Sequence, residues 1–144
     1  MENGINKTTF SAEAMNLGVE VKDSNIEGKG VFATRDFAQG EAVFVWDVSR
    51  EVADDKLGEL SQDETRYLTR HNGKYFVMPE PMRFMNHSCE ANTKPENGRD
   101  VATRVIKKGE EITSDYRPQL LQGERMDCHC GASTCQGFII GTAV

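Results

Sequence analysis

The segment RFMNHSC, residues 83–89, is the part of the chain from which fold and function can be read most directly. Its last four positions hold an amide, an imidazole, a hydroxyl and a thiol, side chains that bind or react rather than only fill a core. Two further segments follow, GEEITSDY at residues 109–116 and CHCGASTCQG at residues 128–137. Together they predict a functional site built from the C-terminal half of the chain.

Composition limits the class of protein. The chain has 144 residues, enough for one domain with one core. Hydrophobic residues make up 38%, and no run approaches the roughly 18 apolar residues that a membrane-spanning helix needs. We therefore expect a globular domain with no membrane partner. The first residues show neither a basic nor an apolar signal region, so we expect an intracellular protein, cytoplasmic or nuclear, and not a secreted one.

The charge balance bears on the partner. A net charge of -6 at pH 7 argues against direct nucleic-acid binding, which relies on clustered Lys and Arg. An acidic surface would attract a basic peptide, although the same charge could serve solubility alone.

The cysteines form a pattern of their own. Three lie in a CxCx4C cluster near the C-terminus, and a fourth lies in the NHSC segment. Disulfides are one interpretation of an even number, but a reducing compartment favours thiolate ligation of zinc. Four sulfurs would close a tetrahedral structural site and hold the tail against the NHSC segment. The predicted ligands are Cys89, Cys128, Cys130 and Cys135.

Many short β-like segments separated by glycine predict a mainly β fold with short helices. Ser61 followed by Glu64 is a capping-box pattern that predicts a helix over residues 62–69, and Asn72-Gly73 predicts a turn. Pro79 and Pro81 place residues 83–89 on irregular backbone after a turn. Strands are predicted as three pieces between residues 19 and 48 and then at residues 74–78, 101–106 and 112–116.

A glycine pair occurs early in the chain, in Gly28-Lys29-Gly30. The next segment reads as a strand, whereas a dinucleotide-binding loop needs a helix there to present its N-terminus to phosphate. By itself the GxG pattern indicates a β-turn.

In combination, these motifs resemble the SET-domain protein lysine methyltransferases. GKGVFA at residues 28–33, RFMNHSC, GEEITSDY and the cysteine-rich tail occur in the order typical of that family, over residues 19–139. The resemblance implies a SET fold of small curved sheets with a C-terminal pseudoknot and a zinc-stapled post-SET tail. It also implies an N-terminal extension over residues 1–18, a SET domain over 19–119 and a post-SET segment over 120–144.

The resemblance also implies roles for individual residues. S-adenosylmethionine would contact the backbone of Gly28, Lys29 and Gly30, a close approach that favours glycine. Asn86 would bind the cofactor through its side-chain amide and His87 mainly through its backbone. Phe138 could cover the adenine, although simple core packing explains it equally well. Tyr116 would also contact the cofactor, and it would be the catalytic tyrosine.

The implied reaction is a single in-line displacement in which a neutral lysine amine takes the methyl group from a sulfonium. Positioning and desolvation dominate such a reaction. A narrow dry channel and the sulfonium charge would lower the pKa of the substrate lysine. No metal is needed for this chemistry, so the zinc would be structural. The partner would be a lysine-containing protein or peptide, for which a histone tail is one candidate.

The channel would need further walls. Tyr67 is the expected second catalytic tyrosine, with Tyr75 as its competitor. Trp46 falls where relatives often carry a tyrosine, but a half-buried strand tryptophan is the favoured interpretation. Relatives usually have Phe or Tyr two residues before the catalytic tyrosine, but this chain has Ser114. The small side chain predicts that product formation continues beyond the monomethyl state; the alternative is that Ser114 marks a weakened or altered active site.

Two other interpretations stay open at this level. One is a catalytically silent SET module that binds cofactor or a partner, which the presence of Tyr116, Asn86 and Gly30 argues against. The other is a zinc-stapled interaction domain in which the GxG and Asn86-His87 are incidental.

Overall fold

The computed structural model describes residues 18–143, so the expectation for the N-terminal extension lies almost entirely outside the described residues. Short strands dominate, as predicted, and the longest α-helix in this range has five residues. Within residues 18–143 no helix is long and apolar enough to cross a membrane.

The N-terminal strands pair as the glycine turns predict. Strand β1 (Val19–Asp23) forms an antiparallel hairpin with β2 (Lys29–Ala33), and β3 (Ala42–Val45) follows the turn at Gly40. Three strands were predicted in this region, and all three are confirmed.

The helix predicted over residues 62–69 is shorter in the structure than expected. Strand β4 (Glu51–Val52) pairs with β6 (Lys74–Val77), and helix α1 (Gln62–Arg66) begins with the expected capping box. The predicted helix over residues 62–69 ends too late, because β5 (Leu68–His71) turns back through Asn72-Gly73 and pairs with β6. Cross-strand hydrogen bonds override the local helical signal here.

The NHSC segment is more regular than predicted. A 3-10 turn, Met82–Phe84, leads into a two-residue strand β7 (Asn86–His87). Strand β7 runs parallel to β10 (Glu111–Ser114), with Asn86 beside Thr113 and His87 beside Ser114. The sheet order is therefore β1-β2-β10-β7, which puts the NHSC and GEEITSDY segments side by side as expected. The threaded crossing of a pseudoknot stays a prediction.

Several strand predictions need adjustment. The strand predicted at residues 101–106 is β9 (Arg99–Ala102), and Ile106 makes a separate bridge to Phe37. Strand β9 lies between β3 and β8 (Thr93–Glu96), a strand that was not predicted. The tail forms a further unpredicted hairpin of β11 (Arg125–Asp127) and β12 (Phe138–Ile140).

The core lies where the first sheet meets the β3-β9 pair. Its most fully buried members include Val31, Phe37, Phe44, Ile106 and Ile112. Met82, the first residue of the 3-10 turn, and Met85, which follows the turn, belong to the same cluster. The segment that carries Asn86 and His87 is therefore anchored to the main core by its methionines.

Candidate functional site

Two cavities lie on either side of Tyr116. The larger, of about 660 Å³, is lined by residues that include Trp46, Tyr67, Tyr75 and Ser114. The smaller, of about 410 Å³, is lined by residues that include Glu27, Asn86 and His87. Tyr116 and Met126 line both cavities. The candidate substrate residues line the larger cavity. Of the predicted cofactor residues, Asn86, His87 and Tyr116 line the smaller cavity, whereas Gly28, Lys29, Gly30 and Phe138 are not among its lining residues.

The hydrogen bonds of Tyr116 hold both its backbone and its ring. Its hydroxyl donates to the carbonyl of Met85, and its backbone N–H donates to Nδ1 of His87 at 3.0 Å. Burial, with a smaller contribution from the Glu111 carboxylate, raises the pKa of Tyr116 to about 12. The hydroxyl therefore stays protonated at neutral pH and can act as a hydrogen-bond donor.

Asn86 ties the GxG turn to strand β7. Its side-chain nitrogen lies 3.1 Å from the carbonyl oxygen of Glu27 and 3.0 Å from that of Lys29. It also lies within hydrogen-bonding distance of Ser24 Oγ and Glu111 Oε2. An amide has two protons, so these four acceptors share them. Asn86 is consequently a support of the turn as well as a lining residue of the smaller cavity.

The two glycines of the turn are required for different reasons. Gly28 has φ +44°, the left-handed conformation that favours glycine, and open space around it. Gly30 lacks a positive φ, but a Cβ at this position would lie 2.3 Å from Glu111 Oε2. The close approach at Gly30 is therefore made by a carboxylate of the neighbouring strand. Lys29 between them points its ammonium at Asp23, 2.7 Å away, and is exposed.

His87 is buried and connects the tyrosine to the cysteines. Because its Nδ1 accepts a hydrogen bond from the Tyr116 backbone, the ring proton lies on Nε2. Nε2 is 3.5 Å from the sulfur of Cys89, to which it can donate. Burial lowers the pKa of His87, which favours the neutral ring that this arrangement needs.

The structure brings the four cysteines together. Their sulfurs all lie within 4.8 Å of one another, although Cys89 is distant in sequence from the other three. Sulfurs around a tetrahedral zinc are about 3.8 Å apart, given Zn–S bonds of about 2.3 Å. All four are free thiols, so the disulfide alternative does not apply in this structure. The cluster has the ligand types and spacing to hold a metal ion.

Electrostatics within the cluster differ between the sulfurs. Burial and neighbouring thiols raise the pKa of Cys89, and burial is the main cause that raises the pKa of Cys128 to about 11. Burial also opposes ionisation of Cys130, but backbone N–H donors from Cys89 and Ala132 lower its pKa to about 6. Crowded thiolates repel one another, so a bound cation would favour their joint ionisation.

The remaining predicted residues are Tyr67, Tyr75, Ser114 and Phe138. Tyr67 and Tyr75 both line the larger cavity, so the structure does not choose between them by position. Ser114 is buried and lines the same cavity. Phe138 pairs with Asp127 across the tail hairpin, and its ring lies under the guanidinium of Arg125 at 4.0 Å. This placement favours a packing role for Phe138.

Three further residues of the site were not selected from the sequence. Glu111 and Ser24 form a hydrogen-bonded pair beneath the GxG turn, with Ser24 Oγ 2.8 Å from either carboxylate oxygen. Asp100 is buried against the larger cavity. Glu111 stands within the quoted GEEITSDY motif, whereas Ser24 and Asp100 carry no local signal.

The fold and the site define a small mainly β domain that places a tyrosine between two cavities beside a cysteine cluster. The SET domain family model matches residues 28–117. The chain belongs to the SET domain family, which confirms the family inferred from the motifs. The matched range ends before the cysteine-rich tail, so the boundaries of a separate post-SET segment remain a prediction.

Several curated proteins are similar to this chain. A Yarrowia lipolytica protein named "Histone-lysine N-methyltransferase, H3 lysine-36 specific" is 32% identical over 85% of this chain. Human "Histone-lysine N-methyltransferase SETD2" is 30% identical over 85%, and Arabidopsis thaliana "Histone-lysine N-methyltransferase ASHH3" is 35% identical over 76%. The matches cover 18%, 6% and 34% of these relatives' own lengths. The chain therefore spans about a third or less of the relatives it matches.

Proposed function

We propose that this chain is an S-adenosylmethionine-dependent protein-lysine N-methyltransferase. The observation that carries the proposal is the position of Tyr116 between two cavities, one lined by Asn86 and His87 and the other by the candidate lysine-channel residues. A transfer between two ligands needs such a meeting point, since the reacting atoms must lie about 3 Å apart. The names of the relatives support the same chemistry.

The smaller cavity fits a cofactor of this kind. Its volume of about 410 Å³ lies within the range of small-molecule sites, roughly 300–1,000 Å³. Glu27, Asn86, His87 and Tyr116 would hold the cofactor there, with the GxG turn kept in place by Asn86. When bound, S-adenosylmethionine supplies a methyl group already activated by the positive sulfur.

The chain's own contribution is positioning and exclusion of water. The Tyr116 hydroxyl donates its proton to the Met85 carbonyl, so its oxygen can accept a hydrogen bond from an N–H of the substrate amine and orient it while the nitrogen lone pair stays free. Buried Ser114 and the aromatic rings of the larger cavity would surround the lysine side chain. A dry channel favours the neutral amine, because burial disfavours the ammonium form.

We also infer that the cysteine cluster binds a structural zinc ion. Cys89, Cys128, Cys130 and Cys135 would supply four thiolates, and N–H groups of Cys89 and Gly137 already point at sulfurs of the cluster at 3.4 Å. The ion would join the tail to the NHSC segment and so complete the smaller cavity, which Cys128 and His129 line. Thiolate ligation fits an intracellular, nuclear or cytoplasmic, location.

The proposed substrate is a lysine of a protein, with a histone tail as the first candidate because the relatives are named for histone lysines. The net charge of -6 suits a basic tail. Neither nucleic acid nor a membrane is part of this proposal.

A methyl-transfer assay tests the activity. The zinc-loaded protein is incubated with labelled S-adenosylmethionine, core histones and an array of lysine peptides, beside Tyr116→Phe. We expect transfer by the wild type and a loss of about two orders of magnitude in the variant, because it removes the hydroxyl that would orient the amine where the two cavities meet. Cofactor binding with no transfer to any substrate would point to the silent module. Absence of cofactor binding would contradict the proposal.

A further inference from the structure

The larger cavity contains a buried carboxylate that the proposed reaction does not use. Asp100 lies in the middle of strand β9, is 5% exposed and lines the cavity together with Trp46 and Tyr116. Its Oδ2 accepts a hydrogen bond from the indole N–H of Trp46 at 3.0 Å. Among residues 18–143, Trp46 is the one hydrogen-bond donor to this carboxylate, and no Lys, Arg or His forms an ion pair with it.

A carboxylate in this position is incompletely compensated. Buried charges are normally paired with an opposite charge or satisfied by several donors, since removing an ion from water is costly. Asp100 has one neutral donor, and burial raises its pKa to about 6. Other acidic residues on the cavity wall, Asp47 and Glu124, are more accessible to water than Asp100. Asp100 is therefore the buried carboxylate of this cavity wall that lacks a charge partner among residues 18–143.

Arg66, Arg70 and Arg83 line the same cavity, but within residues 18–143 none of them forms an ion pair with Asp100, so a cation from a ligand can be the missing partner. Trp46 is half-buried, lines the cavity beside Asp100, and is in edge-to-face contact with His71. An indole face attracts ammonium and guanidinium groups, and a carboxylate attracts them by charge. One wall of the cavity thus presents two groups that recognise the same chemistry.

We propose that Asp100 and Trp46 form a subsite for a basic side chain of the peptide substrate. This proposal rests on the proposed function for the nature of the substrate, and on the geometry of Asp100 for the site itself. The cation is either the ammonium group of the target lysine, before it loses its proton, or a neighbouring basic residue of the same peptide. In either case the cation would supply Asp100 with the charge partner that the described residues do not.

The single tryptophan of the chain gives a direct measurement of binding. Histone-tail peptides are titrated into the zinc-loaded full chain without cofactor, and the fluorescence of Trp46 is followed. Each binding peptide is compared with a copy in which norleucine replaces the target lysine, and with a copy in which alanine replaces the flanking basic residues. Sensitivity to the first change identifies the target lysine as the cation, and sensitivity to the second identifies a flanking residue.

Asp100→Asn is the decisive variant, because the amide oxygen can keep the bond to Trp46 while the charge is lost. We expect it to weaken the binding of the basic peptide about tenfold to a hundredfold. The peptide copy that lacks the recognised cation should bind the variant and the wild type equally. Asp47→Asn is the matched control, since it removes the same charge from a more exposed position on the same cavity wall. Its effect should stay within about threefold.

Three results would overturn the subsite. They are equal peptide affinity of Asp100→Asn and the wild type, equal losses in the Asp100 and Asp47 variants, and no response of Trp46 to any basic peptide. Because the titration contains no cofactor and involves no turnover, it separates the subsite from the activity. If peptide binding depends on Asp100 but the protein transfers no methyl group, the subsite stands and the proposed enzyme activity is contradicted. If Asp100→Asn leaves methyl transfer unchanged, the enzyme activity stands and the subsite is contradicted.

Discussion

The backbone N–H of Tyr116 donates to Nδ1 of His87 at 3.0 Å, and the opposite nitrogen of that ring faces the sulfur of Cys89. One buried imidazole thereby connects the tyrosine between the two cavities to the cysteine cluster. A displacement of Cys89 would change the position of Tyr116 through these two hydrogen bonds. The cysteine cluster therefore supports Tyr116 as well as the tail. Hydrogen bonds from such outer partners orient metal ligands and tune the site.

His87→Phe should weaken both ends of this connection. The phenyl ring fills a similar volume but offers neither the acceptor for Tyr116 nor the donor for Cys89. We expect zinc affinity, measured by competition with a chromogenic chelator, to fall about tenfold to a hundredfold. His129→Phe is the control, because that exposed residue lies between two of the cysteines and the described residues give it no hydrogen bond. Equal zinc affinities for the two variants would contradict the connection.

Gly30→Ala should displace Glu111. The added methyl would lie 2.3 Å from Glu111 Oε2, so the carboxylate must leave its bonds to Ser24 and Asn86. We expect a destabilisation of about 2 kcal/mol in chemical denaturation, together with weaker cofactor binding. At Gly58, where no atom lies within 4 Å of an added Cβ, the same change should be neutral or slightly stabilising.

A double variant checks the cause. Glu111→Ala makes room for the new methyl, so its effect combined with Gly30→Ala should be clearly smaller than the sum of the two single effects. Additive effects would mean that Gly30 is needed for another reason.

Asp100→Asn should change how stability depends on pH. Burial raises the pKa of Asp100 from 3.8 to about 6 in the folded protein, so the folded state holds a proton that the unfolded state releases between these values. Stability contributed by this group therefore falls as pH rises from about 4 to 6 and stays low above that. At pH 7.5 the variant should be more stable by on the order of 3 kcal/mol, and the gain should shrink towards pH 4.

Thermal and urea unfolding of both proteins at pH 4, 6 and 7.5 measure this difference. His71, the titratable ring that packs on Trp46, is present in both and cancels in the comparison. A gain in stability that is the same at all three pH values would show that the carboxylate does not titrate in this range.

Ser114→Phe should limit the product. Ser114 is buried on the wall of the larger cavity next to Tyr116, and a phenyl ring there would occupy space that a methylated lysine needs. We expect the wild type to form di- or trimethyl-lysine and the variant to stop at an earlier state, as seen by mass spectrometry at matched turnover. Ser133→Phe, on the exposed tail, controls for a general effect of adding a phenyl ring. Only monomethyl product from the wild type would contradict the prediction.

Local sequence determined the elements whose signals lie within a few neighbouring residues. The capping box of Ser61 and Glu64, the turn at Asn72-Gly73 and the first hairpin are all present where expected, because each depends on contacts between residues close in sequence. The motifs also identified the family. Helix α1 ends earlier than predicted because the residues after it form β5. The partner of β5 lies beyond the turn, outside the short window that the helix prediction used.

Only the tertiary structure decided how the site is assembled. The parallel pairing of Asn86 with Thr113, the Glu111 carboxylate under Gly30 and the indole bond to Asp100 join residues 25 or more positions apart. Such pairings are chosen by the packing of the whole core, so no short pattern announces them. The sequence itself determined which reactive side chains are present, and folding determined that Tyr116 lies between two cavities and that Asp100 is buried on the wall of one.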